Sequence, residues 1–191
     1  MIIRSKVILR AKKLADAQDD YTWQTDPELA RLDAAPLLTT PFSRYLSDYV
    51  SELHYPPLTR HRFAIDTLDG KHIGNCAYYG VNEAKGEAEL GIMIGDRNWW
   101  DKGYGTDAVN ALLSHIFHRK NLKRVCLKTL DSNARAQKCF QKCGFTPYGH
   151  LVKDGFSFVL MEIDRKWWEE QQWKRNETNL VNNPPASWGA S

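Results

Sequence analysis

Two glycines one residue apart, Gly103 and Gly105, stand in "DRNWWDKGYGTDAVNALL" (96–113) where a turn gives way to the apolar period of a helix. Such an entry leaves the first N–H groups of the helix unpaired at the positive end of its dipole. Glycine lets an anion approach the backbone closely and frees the turn dihedrals. Lys102 adds a positive charge and Thr106 a hydroxyl, so the chemistry on offer is the holding of phosphate. The Gly-Lys-Ser/Thr ending of a nucleotide P-loop is missing, and so is the third glycine of the dinucleotide fingerprint.

Glu89 is embedded among Ala88, Leu90 and Ile92 in "GEAELGIMIG" (86–95), where partial desolvation would raise its pKa toward a useful range. The bland alternative is a strand glutamate paired with a neighbouring Lys or Arg. The four cysteines (Cys76, Cys126, Cys139, Cys143) have no Cys-x-x-Cys spacing and read as reduced, packed thiols. Cys139 and Cys143 share a helix face, yet no histidine stands near them in sequence, so no metal site is expected. His115 and His118 read as a solvated or packed pair.

The elements around these residues follow from periodicity. Residues 6–14 alternate as a first strand, Asp16 or Asp19 is placed to cap a helix running toward Trp23, and Asp26 with Pro27 opens a second. A loop over 34–41 precedes an amphipathic helix over 42–53. Strands over 61–68 and 71–81 flank the turn Asp69-Gly70, and 86–95 is apolar enough for a central strand. A helix from Thr106 to about Asn121, a strand over 123–130, a helix over 133–145 closed by Gly144, and a hairpin ending at residue 163 complete the order. The fold class is mixed α/β (α+β): a mostly antiparallel central sheet of about six to seven strands flanked by helices. The domain should span 1–164. The extension 165–191 carries Trp167, Trp168 and Trp173 and reads as a short helix over 165–175, either folded back on its own sheet or docking a second copy. The tail "NNPPASWGAS" has the composition of a disordered terminus.

With 191 residues, a net charge of +3 and scattered Lys and Arg, the chain fits one domain and gives no nucleic-acid stripe. No apolar run approaches a membrane span, and "MIIRSKVILRAKK" lacks the centre of a signal peptide, so a cytoplasmic location is expected.

The stretch "AELGIMIGDRNWWDKGYGTDAVNALLSHIF" followed by "NARAQKCFQKCGF" resembles the GNAT superfamily of acetyl-CoA-dependent N-acetyltransferases, in particular its branch of ribosomal-protein and spermidine N-acetyltransferases. The likeness runs from about residue 6 to 164. Where the superfamily turn usually begins with Gln or Arg, this chain has Trp100; since backbone amides carry the binding, the departure costs little.

The resemblance implies acetyl-CoA as co-substrate, an amine as acceptor, no metal, and a splayed central strand. Trp100, Asp101, Lys102, Gly103, Tyr104, Gly105 and Thr106 would form the diphosphate turn. Ile92, Met93 and Ile94 would pair with the peptide-like groups of pantetheine, with a backbone N–H near Ile94 facing the thioester oxygen. Asn133, which reads by itself as an N-cap, would hydrogen-bond pantetheine. Glu89, fourteen residues before Gly103, would be the general base. Phe140 stands where many relatives carry a tyrosine acid, so its part becomes packing on the pantetheine arm or in the core, and solvent or Tyr148 is left to protonate the thiolate. Trp23, the 34–45 segment and Tyr148 would flank the acceptor. A coenzyme A-binding module without turnover is the alternative raised by the missing tyrosine and the Trp-rich tail.

Overall fold

The computed structural model describes residues 1–182, with side chains through residue 174. Its strands are β1 (Ile2–Ile3), β2 (Val7–Arg10), β3 (Arg60–Thr67), β4 (His72–Asn82), β5 (Glu87–Ile94), β6 (Arg124–Leu130), β7 (Thr146–Lys153) and β8 (Phe156–Asp164). The helices are α1 (Ala17–Gln24), α2 (Pro27–Leu32), α3 (Phe42–His54), α4 (Tyr104–Arg119), α5 (Ala134–Cys143) and α6 (Arg165–Asn182). All eight strands form one sheet in the order β1-β2-β3-β4-β5-β6-β8-β7. Every pairing is antiparallel except β5 with β6, whose parallel run is permitted by the crossover through α4. The mixed, mostly antiparallel sheet expected from the sequence is present. The extra strand is β1, which sets Ile2 opposite Leu9 and Ile3 opposite Ile8; two residues are too few to carry a readable alternation.

Local chemistry fixes the element ends. The Asp26 carboxylate accepts from the N–H groups of Glu28 and Leu29, both at 3.0 Å, and Pro27 follows at the first position of α2. Asn133 caps α5 by accepting from Ala136 N–H at 3.1 Å. Gly144 ends that helix at φ +100, and a Cβ there would overlap the Trp167 ring, so glycine is required twice over. Asp16 differs from expectation. It occupies the N-cap position of α1 without capping it; its carboxylate instead takes Arg10 and the Lys13 N–H.

The core lies where the central strands meet one stripe of α4. Val109, Leu112, Leu113 and Ile116 are fully buried there against Val7, Leu9, Ile65 and Ile73, each such side chain contributing about 1.5–3 kcal/mol. The start of α6 joins this core. Trp168 is buried, with its ring 5.2 Å from Phe117 and 5.5 Å from His118. Trp173 stays exposed, and α6 runs on to Asn182, beyond the short helix expected. The closing tail at 183–191 lies outside the described residues.

A polar cluster joins α1 to the sheet behind this core. Lys12 Nζ lies 2.7 Å from Asp20, Asn75 Nδ2 donates to Asp20 at 2.6 Å, and Arg10 bridges Asp16 at 2.8 Å and Asp66 at 2.5 Å. Burial alone would push the Asp20 carboxyl up. Hydrogen bonds from His72, Lys12 and Asn75, with the Lys12 charge, outweigh it and hold Asp20 well below the usual carboxylate range. A buried pair of this kind is costly to break one-sidedly. Lys12→Met should therefore lower urea-measured stability by about 3–5 kcal/mol, with Lys12→Met/Asp20→Leu recovering part of that loss. Because the Asp20 pKa is depressed on folding, its contribution is complete above the normal carboxylate pKa and fades as pH falls toward the folded value. The wild-type urea midpoint should accordingly fall between about pH 6 and pH 3, and fall less in the double variant.

Candidate active site

β5 pairs with β6 only through Glu87, Ala88 and Glu89, opposite Arg124, Val125 and Cys126. Beyond that point β6 continues along β8 as far as Leu130, while β5 continues along β4 as far as Ile94. The two strands part, and the edge of β5 from Leu90 to Ile94 has no strand partner on the β6 side. Trp100 Nε1 donates to the Ile94 carbonyl at 2.6 Å. That bond identifies the open side. Residues alternate along a strand, so the N–H of Ile94 and both backbone groups of Ile92 turn the same way, and those of Met93 turn toward β4.

The glycine turn closes one end of this opening. Asp101 (φ +56) and Gly103 (φ +85) both adopt left-handed backbone, and α4 starts with no side-chain cap. The N–H groups of Tyr104, Gly105 and Thr106 precede the first bonded amide of the helix, Asp107, which donates to Gly103 C=O at 3.0 Å. The turn is held from behind by the β1–β2 connection. Lys6 N–H donates to the Asp107 carboxylate at 2.8 Å and Lys6 Nζ to the Lys102 carbonyl at 2.9 Å.

Between the β5 edge and α5 lies a cleft of about 380 Å³. Its walls include Ile92, Met93, Ile94, Trp100, Asp101, Gly103, Gly105, Thr106, Asn133 and Phe140, ten of the residues singled out in the sequence. Arg135 stacks on Trp100 at 3.3 Å from the ring centroid, and with Lys138 and Lys142 it lines the same wall. Burial draws the Arg135 pKa down from its usual value, against the pull of Asp101. Cys139 Sγ lies 3.5 Å from Thr106 Oγ1. Its thiol is lowered to about 7, chiefly by a hydrogen bond with Cys143 and against its own burial, with further help from Thr106 and the charges of Lys142 and Arg135. Arg97 reaches from the loop after β5 to Asp26 and Glu28, each at 2.8 Å, and ties α2 to the rim.

A second cleft of about 250 Å³ adjoins the first. The two share Leu32, Asp33, Ile92, Asn133, Ala136 and Phe140. Tyr79, Gly91, Lys128, Phe156 and Phe158 are among its other walls. Glu89 lines neither. Its Oε1 accepts from the Tyr79 hydroxyl at 2.9 Å and from Lys128 Nζ at 2.5 Å, so it holds two residues that do line the second cleft.

Four further expected residues also stand off the cleft walls. Lys102 contributes its backbone to the turn, and Tyr104 packs edge-on against Trp99 at 4.7 Å. Trp23 is buried 4.9 Å from the His72 ring, where a Cβ at Gly95 would overlap its indole. Tyr148 is exposed and hydrogen-bonds Cys126. Neither Trp23 nor Tyr148, expected beside the acceptor, reaches the described walls of either cleft. Sequence reading missed Asp33, Tyr79 and Lys128, which come together from the residue after α2, from β4 and from β6. No spacing signals residues so far apart in the chain. Among the described residues, no group of three or more His, Cys, Asp or Glu is arranged to hold a metal, and no helix is long and apolar enough to cross a membrane.

A family profile for the acetyltransferase (GNAT) domain matches residues 6–146. An uncharacterized N-acetyltransferase of Bacillus licheniformis is 27% identical over 151 residues, covering 78% of this chain and 83% of that protein. The spermidine N(1)-acetyltransferase of Vibrio cholerae is 28% identical over 95 residues, 50% of this chain and 54% of its own length. Among solved structures, the Vibrio cholerae spermidine N-acetyltransferase in complex with CoA and spermine superposes with a TM-score of 0.76 at 21% identity, over 87% of this chain and 99% of that one. An aminoglycoside acetyltransferase in complex with coenzyme A gives 0.72 at 20% identity, over 87% and 99%. At these identities the structural likeness establishes a common fold.

The two glycines of the turn are needed for different reasons. Gly103 has positive φ, whereas a Cβ at Gly105 would meet nothing closer than Cys139 Sγ at 3.5 Å. Gly103→Ala should cost about 1–2 kcal/mol in urea unfolding. Gly105→Ala should be neutral or gain up to about 1 kcal/mol, because the fold tolerates the methyl group.

Proposed function

The chain belongs to the GNAT acetyltransferase family, and on that premise we propose that it moves the acetyl group of acetyl-CoA to a primary amine, with both substrates bound together and no acyl-enzyme. The observation that carries this reading is the parting of β5 from β6 opposite an uncapped helix N-terminus. One cleft thereby offers two kinds of backbone group at once: free amides for a diphosphate and an unpaired strand edge for a peptide-like arm.

In this reading the amides of residues 103–106 hold the diphosphate of acetyl-CoA, and Arg135, Lys138 and Lys142 face its charge. The open edge at Ile92 and Ile94 takes the pantetheine, and a backbone N–H of that edge meets the oxygen that becomes negative as the amine attacks. Asn133 and Phe140, shared by both clefts, border the place where the two substrates meet. The second cleft receives the acceptor, a primary amine of the class that includes protein N-termini, polyamines and other small amines. Solvent protonates the departing thiolate, a tolerable leaving group near neutral pH. Cys139 stays a wall of the coenzyme cleft, and the direct transfer requires no acyl group on it.

Glu89 is the base that the family resemblance implies. Its carboxylate, however, is occupied by Lys128 and Tyr79, and it lines neither cleft. We therefore give it a positioning role, fixing the Lys128 ammonium and the Tyr79 hydroxyl beside the acceptor.

Release of free thiol from acetyl-CoA in the presence of a panel of primary amines tests the activity. Turnover with at least one amine, through a sequential rather than a ping-pong rate law, is expected. Silence across the panel overturns the reading. Gly105→Val, whose Cβ alone would meet Cys139 Sγ at 3.5 Å and Ile94 Cγ1 at 3.8 Å, should raise the KM for acetyl-CoA at least about tenfold, with urea unfolding of the same variant separating this from any loss of stability. Glu89→Gln should lower kcat/KM about tenfold, mainly through the amine KM, and leave the acid limb of the pH profile in place.

A further inference from the structure

The acceptor-side cleft carries four charged side chains, Asp33, Lys128, Lys153 and Asp154. Three have partners: Lys128 holds Glu89 at 2.5 Å, and Lys153 and Asp154 stand 4.0 Å from one another. Among the described residues, no hydrogen bond or ion pair reaches the Asp33 carboxylate; Arg60 and Lys128 act on it through their charge alone. Arg60 sits over the Tyr79 ring, 5.5 Å from its centroid, and Lys128 is drawn to Glu89. Asp33 is also the one charged residue on the described walls of both clefts, so it stands at their junction with Ile92, Asn133 and Phe140.

Its position is built. Asp33 follows the last turn of α2, and Ala34 then takes φ +49, a left-handed conformation that helix ends ordinarily give to glycine. Ala34 N–H donates to Arg31 C=O at 3.1 Å and Ala35 N–H to Ala30 C=O at 2.9 Å, which closes the helix end and directs residue 33 over the cleft. Asp33 is exposed, and its carboxyl can be reached from either cleft.

We propose that Asp33 receives the ammonium group of the acceptor and takes its proton. This inference rests on the acetyltransferase reading above and adds the acceptor class: an aliphatic amine that arrives as a cation. The walls agree, since Tyr79, Phe140, Phe156 and Phe158 offer ring surfaces to methylene groups and to a cation. The step balances as follows. One N–H proton passes to the Asp33 carboxylate, and the freed lone pair forms the C–N bond at the acetyl carbonyl. The C–S bond breaks with its electron pair on sulfur, and a second N–H proton reaches the thiolate through solvent. Desolvation by the cleft walls holds the Asp33 carboxyl above the usual carboxylate range, against the pull of Arg60 and Lys128, the direction a proton acceptor needs. The remaining charges facing this space are those of Lys153 and Asp154.

Two measurements on the full chain test the assignment separately from the activity. In the first, 1,4-diaminobutane is titrated calorimetrically into protein saturated with coenzyme A. Wild type should bind it, and Asp33→Asn should weaken that binding about tenfold while coenzyme A affinity is unchanged. In the second, kcat/KM for an acetylated amine is followed against pH. Wild type should lose activity as pH falls through the raised Asp33 pKa, because the protonated carboxyl accepts no proton. Asp33→Asn should lose about 100-fold near pH 7, lack that limb and recover toward alkaline pH; Asp33→Glu should restore part of the rate. The assignment is overturned if Asp33→Asn binds the diamine as wild type does, if wild type does not bind it at all, or if Glu89→Gln rather than Asp33→Asn removes the acid limb. If coenzyme A and the diamine both bind but no thiol is released from acetyl-CoA with any amine, the acetyltransferase reading fails, and the calorimetric arm still decides what Asp33 recognises.

Discussion

The structure depends on one constraint: β5 satisfies a partner on both sides only as far as Glu89. A central strand normally gives up both rows of backbone groups to its neighbours. Here the chain from Leu90 to Ile94 keeps one row free, because β6 turns away along β8 while β5 stays with β4. An unpaired edge inside a sheet is costly unless water or a ligand reaches it. The parting of the strands admits both, and the Trp100 indole covers the last carbonyl of the row.

Everything near the opening supports this arrangement. The β1–β2 connection, through Lys6, holds the glycine turn at one end, and Arg97 with Asp26 and Glu28 holds α2 at the other. α5 forms the facing wall, fixed by the Asn133 cap and by the Trp167 ring beneath Gly144. The charge distribution follows the same division. Arg135, Lys138, Lys142 and the α4 N-terminus gather positive charge on the first cleft, whereas the second has Lys128 and Lys153 in ion pairs and, among the described residues, no partner for Asp33. The buried cluster of Arg10, Lys12, Asp16, Asp20 and Asp66 stands apart from both clefts and serves to join α1 to β2, β3 and β4.

Much of the first cleft was legible because it is local in sequence. A glycine turn, the helix it opens and the strand before it occupy 86–119 without interruption, and each leaves its own periodicity. Asn133 and Gly144 were readable for the same reason, as a cap and a stop ten residues of helix apart. Glu89 was legible as a charge on an apolar strand, but its partners were not: Tyr79 comes from the neighbouring strand and Lys128 from the strand beyond the splay. Trp23 packs on His72 and Tyr148 lies on an exposed edge strand, placements that follow from the sheet and not from any local spacing.

The sequence by itself determined the order and kind of the elements, the left-handed turn at Gly103 and the anion-seeking helix start, because each rests on the conformational limits of a few consecutive residues. Tertiary structure alone decided where β5 and β6 part, which side chains meet at the junction of the two clefts, and that among the described residues Glu89 carries a partner while Asp33 does not. Those outcomes depend on strand register and on helix placement across the sheet. Register and placement are set by the packing of residues such as Val109, Leu113 and Ile65, which are far apart in the chain and individually interchangeable with other apolar side chains.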